Sequence, residues 1–247
     1  MYNHKTVSVV LATYREKKSI RNVIENFFET GFVDEIIVVN NNAEIGTDEE
    51  VKKTKAMIVY EERQGYGYAY KTGIKNAKGD YIVLCEPDGS YRPEDLERLL
   101  IYAKDNFDAV LCSRTGQSTL LSGADMDIWR KWANVLEAKS IEFFFNTNSL
   151  TDVGCTYKLF TKKTLRNFSK SWKMNNSLFA TELILLTVSR NIRFIEIPIT
   201  FTKRVGVSSL TGKRYLLVKW GLHIQTYIVL FWLEWMTYRM RNFRSEK

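Results

Sequence analysis

The segment CEPDGSYRPEDL sets two carboxylates, Glu86 and Asp88, one residue apart in a glycine-containing loop that follows an apolar run. Hard oxygen ligands presented from fixed backbone suit a divalent cation that bridges a diphosphate, and Pro87 restricts the backbone between the two. Taken alone, the same residues would also serve as a plain Asp-Gly turn beside a solvated glutamate. Upstream, RQGYGYAYKTGIKNAKGDYIVL carries Gly65 and Gly67 ahead of a helical pattern that leads into the carboxylate strand. A dinucleotide fingerprint would put G-x-G-x-x-G in the first strand-to-helix turn. That turn is ATYREKKS, with no glycine, which argues against a Rossmann dehydrogenase.

These residues need a frame, and the apolar pattern supplies one. Runs of strand length, TVSVVLA (6–12), EIIVVN (35–40), AMIVY (56–60), DYIVLCE (80–86) and DAVLCS (108–113), alternate with helical patterns. Such alternation predicts right-handed βαβ units and an α/β fold whose mainly parallel sheet is covered by helices on both faces. Pro93 suits the first helical position, with Glu94 and Asp95 placed well against the helix dipole. Residues 86–92 are therefore expected at the carboxyl edge of the sheet, where ligands of open α/β sheets bind. After residue 114 the rhythm breaks. An amphipathic helix is expected over 127–146, bearing Trp129, Trp132, Leu136 and Phe143, then a mixed segment (DVGCTYKLF), a helix (FATELILLTVSR) and a strand (RFIEIPITFTK). With no Gly/Ser/Pro-rich linker, residues 1–214 are expected to form one domain.

The 247 residues are 45% hydrophobic and 26% charged, which excludes a disordered or fibrous chain. Cys85, Cys112 and Cys155 are too few and scattered for a disulfide framework, and His4 and His223 complete no metal-finger spacing. A reducing, cytoplasmic compartment is expected. The apolar stretch near the N-terminus is short enough to be a buried strand rather than a secretion signal. The net charge is +8, of which +7 falls in residues 203–247. Residues 215–247 also hold Trp220, Tyr227, Phe231, Trp232, Trp235 and Tyr238 among Lys219, Arg239, Arg241 and Arg244, with Lys213 and Arg214 just before. The longest stretch without Lys, Arg, Asp or Glu, 220–233, is short of the ~20 residues that span a bilayer. This composition predicts an amphipathic helix lying on an anionic membrane surface, peripheral to the cytoplasmic face, rather than a nucleic-acid contact. A helix packed on the body or on a second subunit is the alternative.

Several motifs in order resemble the family 2 glycosyltransferases, of GT-A fold, and among them the dolichyl/polyprenyl-phosphate sugar synthases; the likeness covers about residues 6–210. LATYRE matches the first-strand motif, so Thr13, Tyr14 and Glu16 fall on positions that hold the base and ribose of a sugar nucleotide. IIVVNNN stands for the family's I-I-V-V-D-D and puts Asn41 in place of a base-contacting carboxylate. GYGYAYKTGIKNAKGDY matches the long glycine pattern, with Gly65 and Gly67 on the donor side. Glu86-Pro87-Asp88 matches the D-x-D metal motif. CSR, RKWAN and the block TELILLTVSRNIRFIEIPITFTKRVGVSS give Arg114, Arg130, Glu182, Arg204, Gly206 and Ser208.

The resemblance implies an inverting, metal-dependent transferase that uses Mg2+ or Mn2+ held by Glu86 and Asp88. The donor would be a nucleoside-diphosphate sugar and the acceptor a polyprenyl phosphate or another lipid-linked group. Arg114, Arg130 and Arg204 would suit a lipid phosphate, and Glu182 would be the base for a hydroxyl acceptor. A polysaccharide hydroxyl as acceptor, and a non-catalytic sugar-nucleotide-binding protein, are the alternatives. The oligomeric state is not legible in the sequence.

Overall fold

The computed structural model describes residues 1–116, 120–121, 123–124, 126–206 and 214–245. Seven strands form one sheet: β1 (Val7–Thr13), β2 (Glu35–Asn40), β3 (Met57–Tyr60), β4 (Tyr81–Cys85), β5 (Ala109–Ser113), β6 (Lys158–Thr161) and β7 (Phe194–Pro198). Their spatial order is β3-β2-β1-β4-β6-β5-β7. All pairs are parallel except those of β6, which runs antiparallel to both β4 and β5. The helices are α1 (Ile20–Glu29), α2 (Thr47–Lys52), α3 (Tyr66–Asn76), α4 (Leu96–Lys104), α5 (Ile128–Phe145), α6 (Lys162–Ser169), α7 (Leu178–Ser189) and α8 (Arg214–Ser245). The mainly parallel α/β sheet expected from the alternating runs is present. The short α2, α6 and antiparallel β6 were not anticipated.

Successive strand side chains point to opposite faces, and the chain uses both. Val10, Ile37 and Val39 pack with α3, α7 and the inner faces of α5 and α8. Val9, Leu11, Ile36 and Val38 pack with α1 and α4. This double burial explains why the strands read as continuous apolar runs rather than alternating ones. Helix α3 approaches the sheet so closely that a Cβ on Gly73 would stand 2.2 Å from Val10 Cγ1.

Insertion of β6 between β4 and β5 positions the site. It separates the loop after β4 from the end of β5 and brings residues 152–157 between them. The C-terminal helix differs from expectation in its orientation. Trp220, Tyr227, Phe231, Trp232 and Trp235 turn toward the protein, where Ile224 and Ile228 are buried in the same core as the sheet. The aromatic density read as a membrane face is thus largely a packing face. Among the described side chains of α8 the exposed apolar ones are Val218, Leu222, Leu230, Leu233 and Met240, together with the Tyr238 ring; Val218 and Leu222 line one groove with Trp129, Trp132 and Leu136 of the exposed α5 stripe. Among the described residues no helix is long and apolar enough to cross a membrane.

Candidate active site

The loop after β4 turns both carboxylates toward one place at the carboxyl edge. Asp88 is buried; its Oδ1 accepts from Ser90 N (2.8 Å) and Ser90 Oγ (2.5 Å), which fixes the carboxylate plane. Its Oδ2 accepts from Arg204 Nη2 at 2.5 Å, and the same nitrogen lies 3.8 Å from Glu86 Oε2. Burial, and next the Asp88 charge, push the Glu86 carboxyl above its ordinary range, against the pull of Arg204 and Arg114. A carboxyl whose ionisation is opposed by burial and by a neighbouring carboxylate marks a place where positive charge is stabilised. The oxygen-only donor set fits a hard divalent cation. Among the described residues no cluster of three or more His, Cys, Asp or Glu side chains completes such a site, so further oxygens would come from a diphosphate.

The segment after β7 lies along this loop: Thr202 N donates to Ser90 O (3.0 Å) and Val205 N to Asp88 O (2.8 Å). Arg204 and Val205 consequently divide two cavities. One, of about 480 Å³, is lined by Tyr14, Arg15, Lys18, Asn42, Glu44 and Val205. The other, of about 610 Å³, runs from Glu86 and Asp88 between α5 and α8. Its floor carries Arg114, Arg130 and Arg204, and its walls are apolar, with Trp129, Trp132, Leu136, Trp220 and Leu222. All three arginines expected at a phosphate are thereby brought together with the carboxylate pair.

The arginines are not equivalent. Arg114 is clamped by Asp152, with Nε and Nη2 donating at 2.8 and 2.9 Å, and its Nη1 reaches Tyr91 Oη at 3.5 Å. Arg130 stands in the first turn of α5, whose N-cap Asp127 accepts from its backbone N–H at 2.8 Å. Arg204 engages the candidate metal ligand itself.

The residues expected to hold the sugar nucleotide are mostly engaged in shaping the loops. Glu16 Oε2 accepts from Thr13 Oγ1 (3.2 Å), Tyr14 N (2.6 Å) and Arg15 N (2.8 Å), closing the first turn and leaving the Tyr14 ring at the cavity. Asn41 is buried; its Nδ2 donates to Glu61 O (2.7 Å) and Arg63 O (2.9 Å), and its Oδ1 accepts from Gly65 N (2.9 Å). An aspartate could not make the first two bonds, which accounts for the departure from the family's acidic pattern. Asn41 therefore organises the loop leading into α3 and has its amide engaged there. Gly67 meets the Met174–Asn175 backbone, where a Cβ would come within 2.6 Å of Met174 O. Glu182 lines neither cavity. It is buried in α7 and accepts from Lys173 N (2.8 Å), Met174 N (3.1 Å) and Tyr227 Oη (3.1 Å). Ser208 and Lys213 lie outside the described residues. Asp152, Tyr91, Glu137 and Gln225 belong to the groove region and were not singled out, although Tyr91 stood in CEPDGSYRPEDL and Asp152 opened DVGCTYKLF.

A GT-A sheet with an acidic pair at its carboxyl edge and a cavity on either side defines an enzyme that moves sugars from nucleotide donors. Residues 8–168 match the family described as Glycosyl transferase family 2, and the chain belongs to that family. It is 26% identical over 211 residues to the low-salt glycan biosynthesis hexosyltransferase Agl6 of Haloferax volcanii, covering 83% of this chain and 50% of that protein. It is 24% identical over 210 residues to the dolichyl-phosphate hexose transferase of the same organism, covering 85% of this chain and 88% of the relative. The chain thus spans about half the length of the first relative and most of the second. In fold it is similar to glucosyl-3-phosphoglycerate synthase from Mycobacterium tuberculosis, solved with Mn2+, UDP and glucosyl-3-phosphoglycerate. There the TM-score is 0.68 at 15% identity, covering 94% of this chain and 80% of that one.

Proposed function

We propose that this glycosyltransferase moves a sugar, with inversion, from a nucleoside-diphosphate sugar to the phosphate of a polyprenyl-type lipid at a membrane surface. The observation that carries the reading is the shared groove: the Glu86–Asp88 pair, three arginines and apolar walls face one cavity. Guanidinium groups bind phosphate oxygens in a planar fork, and the walls of α5 and α8 suit a hydrocarbon chain. The likeness to a dolichyl-phosphate hexose transferase supports the same acceptor class.

Glu86 and Asp88 would hold Mg2+ or Mn2+, whose charge stabilises the diphosphate leaving group as negative charge builds on it. The donor lies on the Tyr14 side of the Arg204–Val205 segment and the acceptor enters along the groove. Attack from the face opposite the leaving group gives inversion. Arg204, next to Asp88, and Arg114, held in orientation by Asp152, place the acceptor oxygen. A phosphate oxyanion needs no base, so Glu182 serves by fixing the 173–174 backbone that carries α3. The exposed tryptophans of α5, at 71% and 59% exposure, stand at the groove mouth and would enter the headgroup layer. Their membrane contact takes over the role expected of the α8 aromatics.

The test is transfer of a labelled sugar from a panel of UDP- and GDP-sugars, with Mn2+, to farnesyl phosphate or to farnesol. Butanol-extractable product from farnesyl phosphate alone supports the reading. Product from farnesol, or only from soluble glycans, overturns it.

A further inference from the structure

Halfway along the groove the apolar lining is interrupted from both sides. Glu137, on the inner face of α5, is 5% exposed and makes no hydrogen bond or ion pair among the described residues, yet its carboxyl opens into the cavity. Opposite stands Gly221 of α8, where even a Cβ would come within 3.4 Å of Glu137 Oε1. A glycine inside a helix weakens it, and here it keeps space free before the carboxyl. One turn further along the same face of α8 is Gln225, which also lines the groove and whose Oε1 is buried without a partner. Buried polar groups are nearly always paired. Two left open across one cavity are a place prepared for a polar ligand.

The surrounding charges indicate its kind. The charged group that acts on Glu137 is Asp152, which also clamps Arg114, and Arg114 and Arg130 line the same cavity as Glu137. Burial first, and Asp152 second, push Glu137 up to about 8, so its neutral form predominates below that pH. A neutral carboxyl has an O–H to donate, and an acceptor-only anion among arginines is the ligand that would take it. We propose that Glu137, with Gln225 across the groove, is an acceptor-binding residue that donates a hydrogen bond to the phosphate of the lipid. This rests on the lipid-phosphate reading above and adds to its three arginines a neutral donor that binds without adding charge.

The experiment is calorimetric titration of farnesyl phosphate and of farnesol into protein saturated with Mn2+ and UDP, for wild type, Glu137→Leu and Glu137→Gln, each checked for a cooperative melt and unchanged UDP affinity. Glu137→Leu should weaken farnesyl phosphate at least tenfold and leave farnesol unchanged. Glu137→Gln, which still donates through its amide, should stay within about threefold of wild type. Wild-type affinity for farnesyl phosphate in Glu137→Leu overturns the proposal, as does equal loss of farnesol binding, which would mean packing alone. Equal loss in both variants also overturns it, since it would require an ionised carboxylate. If wild type itself prefers farnesol, the lipid-phosphate reading falls and this proposal with it.

Discussion

Arg204 Nη2 lies 2.5 Å from Asp88 Oδ2, so the residue expected at the acceptor phosphate and the residue expected at the metal touch each other. The contact joins the two halves of the site through one carboxylate. Charge at Asp88 is thus felt directly by the group that would orient the acceptor.

Replacing Arg204 with alanine should weaken a phosphate acceptor by roughly 2–5 kcal/mol, the range for losing one partner of a buried charged contact. Nucleotide binding should change far less, because the Tyr14 cavity lies on the other side of the segment. Titration of each ligand separately checks this, and equal losses would assign Arg204 to the diphosphate.

Asn41→Asp, which restores the family's acidic pattern, should be destabilising rather than restorative. Its carboxylate would face the Glu61 and Arg63 carbonyls that the amide now serves at 2.7 and 2.9 Å. Leaving a buried group unsatisfied costs about 1–3 kcal/mol. A lowered denaturant midpoint and weaker UDP-sugar binding are the expected readouts.

Helix α8 is part of the folded core. Ile228 is fully buried, and Tyr227 holds the Glu182 carboxylate that fixes the 173–174 backbone. Ile228→Ala should cost about 2–5 kcal/mol, and a chain ending before α8 should lose its cooperative melt. Deletion to residue 214 yielding a stably folded, nucleotide-binding domain would contradict this.

Glu137 gives stability a definite pH slope. Its carboxyl titrates at about 8 when folded, against an ordinary 4.5. The unfolded chain therefore binds fewer protons between those values, and stability falls as pH rises through that window. Glu137→Gln removes this contribution. Melting curves of the two proteins should agree near pH 4.5, with the variant gaining relative stability up to about pH 8 and no further gain above.

Strands β1, β2, β4 and β5 were legible because each is buried on both faces and so reads as an apolar run, while the edge strand β3, with both its ends exposed, still carries the short run MIVY. The carboxylate pair and Arg114 follow strand ends, Arg130 opens α5 and Gly65 and Gly67 open α3, each within an ordered motif, so their positions in the fold could be anticipated. Strand β6 was hidden: four residues beginning with the buried Lys158 carry no periodic signal, and their pairing is set by distant β4 and β5. Glu137 was hidden because a single acid among the aromatics of α5 resembles a solvated position until α8 covers it. The α8 aromatics showed in composition, but their spacing at 220, 227, 231 and 235 marks one helical face, and only the tertiary structure shows which surface that face meets.

The central claim is tested most directly by following one anomeric carbon. Wild-type protein given an α-linked UDP- or GDP-sugar, Mn2+ and farnesyl phosphate should yield the β-linked prenyl phosphate by NMR, with no product when Asp88 is asparagine. An α-linked product, or full transfer by Asp88→Asn in the presence of a chelator, would contradict the account.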